Sequence, residues 1–235
     1  MKRNSLWTLA IFCGAALLLS GLGLSRSATA QDARSAEWGR LEAEKSLGNP
    51  NAPIKMIVYS DYECPVCGNL YEQTLRPLID DYVASGKVYL VHRDFPLPGH
   101  LYSRQAARWV NAAARIGKFE AVERALFENQ GAWSEFGTAG TKGNIEPFVQ
   151  AALTPSEFKR VQRLMQGCDS NTHQEIKGCA VDAGIQHDIA EGELLPVRAT
   201  PTILISAHGQ QYPPTTGVIS WPILRQFFDQ LLSQK

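Results

Sequence analysis

The sequence has no excess of charge of either sign: 23 Lys and Arg stand against 23 Asp and Glu in 235 residues. This excludes the strongly basic or acidic footprint expected of a chain that binds nucleic acid or an anionic membrane. Cysteine is scarce, at five residues. Past the first thirty residues no segment is apolar enough to cross a membrane. No internal repeat or low-complexity stretch is visible. The glycine-rich GTAGTKGN, Gly137 to Asn144, lacks the Gly-Lys-Ser/Thr ending and the preceding strand of a phosphate loop, and reads as a flexible loop.

What is present begins with a leader. Lys2 and Arg3 precede 19 uncharged residues, Leu6 to Leu24, and then the small-residue sequence Ala28, Thr29, Ala30. That pattern predicts a secretory signal, residues 1–30, cleaved after Ala30. The apolar run exceeds the usual length of such a segment, so an uncleaved N-terminal membrane anchor is the alternative. Cys13 lies in this run as a small hydrophobe. Without Lys2, Arg3 and Arg26 the remainder carries a net charge of −3 and four cysteines, Cys64, Cys67, Cys168 and Cys179. An even count in an exported, periplasmic or otherwise extracytoplasmic chain predicts two disulfides.

Residues 31–52 are polar, end in GNPNAP and read as a flexible lead-in. Ile54 to Tyr59 has apolar residues on both faces, as in a strand buried within a sheet. Pro65 suits the first turn of a helix running through Leu70, Tyr71 and Thr74 towards Pro77 and Leu78. After Gly86 a second strand is predicted over Val88 to Phe95, giving a parallel crossover unit. From Pro98 to Glu193 the period becomes helical, with Ala106, Trp109, Val110, Ala113 and Ile116 on one helix and Phe119, Val122, Leu126 and Phe127 on another. Thr154 to Glu157 forms a capping box, and Thr172 to Glu175 is a second candidate helix start. Ile176, Ala180, Ala183, His187, Ala190 and Leu194 then form an apolar seam. Strand character returns at Thr202 to Ile205, and a helix from Ser220 closes the chain. The resulting organisation is an α/β domain in two pieces, residues 53–97 and 196–235, interrupted by a helical insertion, residues 98–195.

Cys64 and Cys67 stand where a buried strand hands over to a helix. There a cysteine is exposed at the end of the sheet, and free N–H groups and the helix dipole favour its thiolate, which is the nucleophile. Cys64 takes that first position, and Cys67, one turn on, resolves the mixed disulfide. A structural disulfide or half a zinc site is the other reading of Cys-x-x-Cys. Cys168 and Cys179, 11 residues apart, lack the spacing to complete such a site. They bracket a turn between two predicted helices, which suits a structural disulfide, with a second redox relay as the alternative. His187, on the apolar seam, reads as a buried structural side chain. His92 and His100 flank the Phe95 to Pro98 turn without a paired acid in sequence and read as structural too.

The order DYECPVC, HRDFPLPGH (His92 to His100), helical insertion and RATPT (Arg198 to Thr202) resembles the DsbA-type thiol-disulfide oxidoreductases of the thioredoxin superfamily. The resemblance covers nearly all of the chain after the leader. It implies a thioredoxin fold with a helical insertion domain, and a Cys64-Pro65-Val66-Cys67 active site. It also implies a cis Pro201 beside that site, preceded by Thr200, whose backbone pairs with an extended substrate segment. No metal or organic cofactor is implied. The expected partners are cysteine-containing exported proteins and a membrane redox partner. Disulfide donation is the expected direction, with a reductase, an isomerase or a peptide-binding module of the same fold as alternatives. One departure stands out: such oxidases often place a histidine before the second cysteine, where this chain has Val66. Glu63 adds a negative charge next to Cys64, so the thiol is expected to be less acidic than in the strongest oxidants.

Overall fold

The structure is a computed structural model and describes residues 31–33, 35–138, 142–168, 172 and 174–234. The proposed leader, residues 1–30, lies outside these, as do His173 and part of the GTAGTKGN loop. The chain divides into two units at Arg40 and Leu41. Of the first, residues 31–33 and 35–40 are helical. The second holds everything else described below.

The second unit opens with helical residues 41–44 and β1 (Ser46–Leu47), which pairs antiparallel with β3. The predicted flexible lead-in of residues 31–52 is therefore corrected: its second half is tied into the sheet, and Lys45 is buried. Sequence reading missed this because the anchoring residue is a lysine, which composition assigns to solvent.

The sheet runs β1, β3 (Val88–Asp94), β2 (Ile54–Ser60), β4 (Thr202–Ala207), β5 (Gln210–Gln211), with β6 (Thr215–Thr216) also on β4. β2 and β3 are parallel from Ile54↔Val88 to Ser60↔Asp94, whereas β4 runs antiparallel to β2. Every residue of β3 is buried, which is why it reads as a continuous apolar run with polar residues only at its end.

The crossover from β2 to β3 is helical from α1 (Pro65–Leu70) through α2 (Arg76–Leu78). Wider π-helical turns, Tyr71–Leu75 and Ile79–Val83, flank the second piece. Pro77 lies between them and has no N–H to give to the ladder. Among the described residues, six helices, α3 (Ser103–Ala114), α4 (Phe119–Glu128), α5 (Gln130–Trp133), α6 (Glu146–Ala151), α7 (Pro155–Leu164) and α8 (Asp182–Leu194), are inserted between β3 and β4. α9 (Trp221–Ser233) follows Ser220 at the end of the chain. α7 starts with the full capping box of Thr154 and Glu157.

Two expectations for the insertion need correction. No helix starts at Thr172: residues 174–181 form turns, and α8 begins only at Asp182. The Cys168–Cys179 disulfide closes this segment, and the Asp182 carboxylate accepts the Ile176 N–H and binds Arg104 and Arg108. The buried face of α8 is Asp182, Gly184, Ile185, Asp188 and Gly192, while Leu194 is 89% exposed and His187 is only partly covered. The apolar seam drawn through His187 and Leu194 is thus not the face that packs. Gly192 lets α8 approach the sheet: a Cβ there would lie 2.8 Å from the Phe95 ring and 3.0 Å from that of Tyr59.

Candidate active site at the head of a helix

β2 ends at Ser60, and the pairing Tyr59↔Thr202 at its end fixes what lies opposite. The two residues before Thr202 are Thr200 and Pro201, joined by a cis peptide bond. The register therefore brings Thr200 onto Cys64, whose Sγ lies 3.4 Å from the Thr200 carbonyl oxygen.

Cys64 is the N-cap of α1, with Pro65 in the first turn. Its N–H donates to the Asp61 carbonyl at 3.1 Å, and its own carbonyl accepts from Cys67 N–H and Gly68 N–H. The Gln130 carboxamide adds a third donor to that carbonyl at 2.9 Å and also reaches the Tyr62 carbonyl at 2.8 Å. Gly68 makes room for it, since a Cβ there would sit 2.8 Å from Gln130 Oε1. Contrary to the exposed cysteine expected, Cys64 retains 5% of its surface and Cys67 1%. Both are thiols in this structure.

The two thiols are driven apart. Cys64 is brought down to about 6, first by hydrogen bonding with Cys67 and then, against the opposing effect of burial, by Thr200 and the N–H groups of Cys67 and Val66. Cys67 is pushed well above the ordinary thiol value by burial and by the Cys64 charge, although Ser60 and the Asp61 N–H act the other way. One sulfur is thus a thiolate near neutral pH while the other keeps its proton and stabilises it.

Glu63, feared as a charge beside Cys64, is fully buried and turned elsewhere. Its carboxylate accepts the Tyr102 N–H at 2.7 Å and the Glu135 N–H at 2.6 Å. Burial raises its pKa, and those two N–H groups oppose the rise. Asp61 accepts the N–H groups of Glu63 and Leu97, both at 2.8 Å, and meets His100 Nδ1 at 2.6 Å. Both histidines read as lacking an acid have one: His100 has Asp61, and His92 has Glu123 at 2.9 Å. Asp61 and Gln130 are the site residues sequence reasoning missed, while Glu63 was read only as a charge beside Cys64 and His100 only as structural. The spacing of His100 from Cys64 carries no signal, and Gln130 lies on another element.

Val66, inside the Cys-x-x-Cys, and Leu101 and Phe136, on the segments that Glu63 binds, are exposed apolar side chains. Glu63 holds the backbone next to the last two, and the Phe136 ring stands edge-on to His100 at 5.0 Å. Cys168 and Cys179 form a disulfide with Cα atoms 5.1 Å apart, and both are buried in the insertion. His187, Asp188 and Glu191 gather as metal ligands would, but Asp188 is bound by Lys45 and Arg93 and Glu191 by Arg93, so those cations already balance the acids. Among the described residues no helix is long and apolar enough to cross a membrane, and Leu6 to Leu24 lies outside them.

A family model described as Thioredoxin matches residues 41–217. Among solved structures, alpha-DsbA1 of Wolbachia pipientis superposes with a TM-score of 0.61 at 20% identity, covering 80% of this chain and 89% of that one. Among curated proteins, the Na(+)/H(+) antiporter NhaA 1 of Mycobacterium sp. (strain KMS) is 36% identical over 178 residues, 73% of this chain and 25% of its own length. The probable disulfide bond formation protein D of Bacillus cereus is 31% identical over 100 residues, 42% of this chain and 46% of its own. The chain spans about a quarter of the length of the antiporters it matches.

Proposed function

Because the chain belongs to the thioredoxin family and has the fold of DsbA structures, we propose that it is an extracytoplasmic oxidoreductase that gives its Cys64–Cys67 disulfide to cysteine-containing exported proteins. The observation that carries this reading is the Cys64 sulfur at the N-cap of α1, 3.4 Å from the Thr200 carbonyl oxygen, with the Cys67 thiol buried one turn on; the surroundings lower the Cys64 pKa to about 6 and raise that of Cys67. A stabilised thiolate favours the reduced form of the pair, so the oxidised form gives up its disulfide readily. The name of the Bacillus cereus relative, a disulfide bond formation protein, agrees with that direction.

In the oxidised protein a substrate thiolate attacks the Cys64 sulfur, and the Cys64–Cys67 bond breaks. Cys67 leaves with the bonding electrons and takes up a proton, as its high pKa requires. A second substrate thiolate then attacks the substrate sulfur of the mixed disulfide and expels Cys64 as a thiolate, the better leaving group of the two. Two electrons have passed from the substrate dithiol to the protein. The backbone at Thr200 lies against the reacting sulfur and offers an extended substrate segment a strand to pair with. Val66, Leu101 and Phe136 provide apolar surface for an unfolded client. A membrane partner that removes the two electrons completes the cycle.

The test is the reduction potential of the Cys64–Cys67 pair equilibrated with glutathione, with Cys64→Ser as the blank. A value above about −180 mV is expected of a disulfide donor. A value at or below about −230 mV overturns donation in favour of a reductase.

A further inference from the structure

Asp61 is the hub of the site. Its main chain serves both cysteines, the carbonyl receiving the Cys64 N–H at 3.1 Å and the N–H acting on the Cys67 sulfur. Its carboxylate is buried, receives two N–H groups from residues 63 and 97, and meets the His100 imidazole. The His100 N–H donates to the Leu97 carbonyl at 3.0 Å, so residues 97–100 form a turn pinned to Asp61 at both ends. This carboxylate stands three residues before Cys64, and a negative charge beside the sulfur opposes thiolate formation unless something neutralises it. Val66 occupies the place inside the Cys-x-x-Cys from which a histidine could do so.

We infer that His100, held by Asp61, is the positioning residue that cancels this charge and keeps Cys64 a thiolate in the reduced protein. The inference rests on the oxidoreductase reading of the cysteine pair. The charged groups acting on His100 are Asp61, Cys64 and Glu63, and from the segment after α5 it meets the Phe136 ring. Its pKa is raised first by the hydrogen bond to Asp61, against burial, and further by the charges of Asp61, Cys64 and Glu63. When a substrate dithiol delivers two electrons, one proton ends on Cys67 and Cys64 stays ionised, so the imidazolium gains a negative neighbour. On reoxidation that charge disappears and the imidazole becomes easier to deprotonate.

Coupling of this kind is reciprocal. His100 must bind its proton more tightly in the reduced than in the oxidised protein, by the same factor by which its charge favours the Cys64 thiolate. The experiment is an NMR titration of His100 in the protein oxidised and in the protein reduced with a phosphine, beside an absorbance titration of the Cys64 thiolate in wild type and His100→Gln. Glutamine keeps a donor for Asp61 but no charge. A shift of at least about threefold is expected in both equilibria, and the two shifts should agree. His100 titrating identically in both redox states overturns the inference, whether or not the variant folds. Equilibration with glutathione in the same samples keeps the two readings separate: a pair that fails to exchange sinks the oxidoreductase reading, independently of how His100 titrates.

Discussion

Cys64 and Cys67 are three residues apart and their pKa values shift in opposite directions, because hydrogen bonding from Cys67 favours the Cys64 charge while burial, and then the bond to Cys64, oppose that of Cys67. Reaction of the reduced protein with iodoacetamide should therefore rise about tenfold per pH unit and level off above pH 6, with Cys64 labelled and Cys67 spared. Equal labelling at pH 7, read by mass spectrometry of the peptides, would contradict the opposed pair. The same shift has a stability sign. Cys64 is lowered in the fold relative to about 8.5 for a free thiol, so its stabilising effect is complete above about 8.5 and is lost as pH falls through 6. The oxidised protein has no thiolate and lacks this dependence. That Cys64 stops near 6, between the free thiol and the roughly 3.5 of the strongest oxidants, accords with a valine at position 66 and with thiolate stabilisation from outside the motif.

Among the elements, the tie between the end of β2 and the helical insertion depends on one side chain. Glu63 receives the N–H of Tyr102 just before α3 and that of Glu135 just after α5. Glu63→Ala leaves both donors without that acceptor, at a cost of about 1–3 kcal/mol each. Hydrogen exchange at the Tyr102 and Glu135 amides should speed up by tenfold or more while amides in β2 stay slow. Unchanged exchange at both amides would mean that the carboxylate does not hold these segments. The elements themselves were legible to differing degrees. β2, β3, the start of α7 and α9 followed from apolar runs and a cap, because their buried faces are largely apolar and α7 opens on a full capping box. α8 misled because its buried face contains two aspartates and two glycines, which pattern reading assigns to solvent or to loops.

At the scale of the whole molecule, those aspartates belong to a buried ionic network. Lys45, next to β1, binds Asp188 of α8 and, at 2.5 Å, Asp94 at the end of β3; Asn111 of α3 donates to Asp94, and Arg93 binds Asp188 and Glu42. The sheet, the insertion and the segment before β1 are thus joined by charge as well as by the apolar core. Lys45→Met would leave two buried carboxylates short of their main cation and should cost about 3–5 kcal/mol, a fall in Tm of roughly 6–20 °C. A loss below 1 kcal/mol in urea unfolding would show that the network contributes little. Burial alone would raise Asp94 and Asp188, but Lys45 overcomes it and holds both below the usual carboxylate range. Their stabilising effect is present above about 3.9 and is lost as pH falls. For His92, burial lowers the pKa, but Asp94 and Glu123 raise it to about 9. Its contribution is whole below about 6.5 and fades as pH rises through 9. In the oxidised protein these groups predict greatest stability between about pH 4 and 6.5.

The sequence by itself determined the strand order of the crossover, the insertion, the cysteine pair and its place at a helix start, since apolar period, proline position and Cys-x-x-Cys spacing are local properties. It also named Thr200 and Pro201, through a motif. Only the tertiary structure decided what surrounds the sulfur. The Tyr59↔Thr202 register sets Thr200 against Cys64, Gln130 reaches in from the insertion, and Asp61 brings in His100 from 39 residues along the chain. Interactions between groups so far apart in sequence leave no periodic trace in it, because each partner is a single polar residue whose role depends on the fold that buries it.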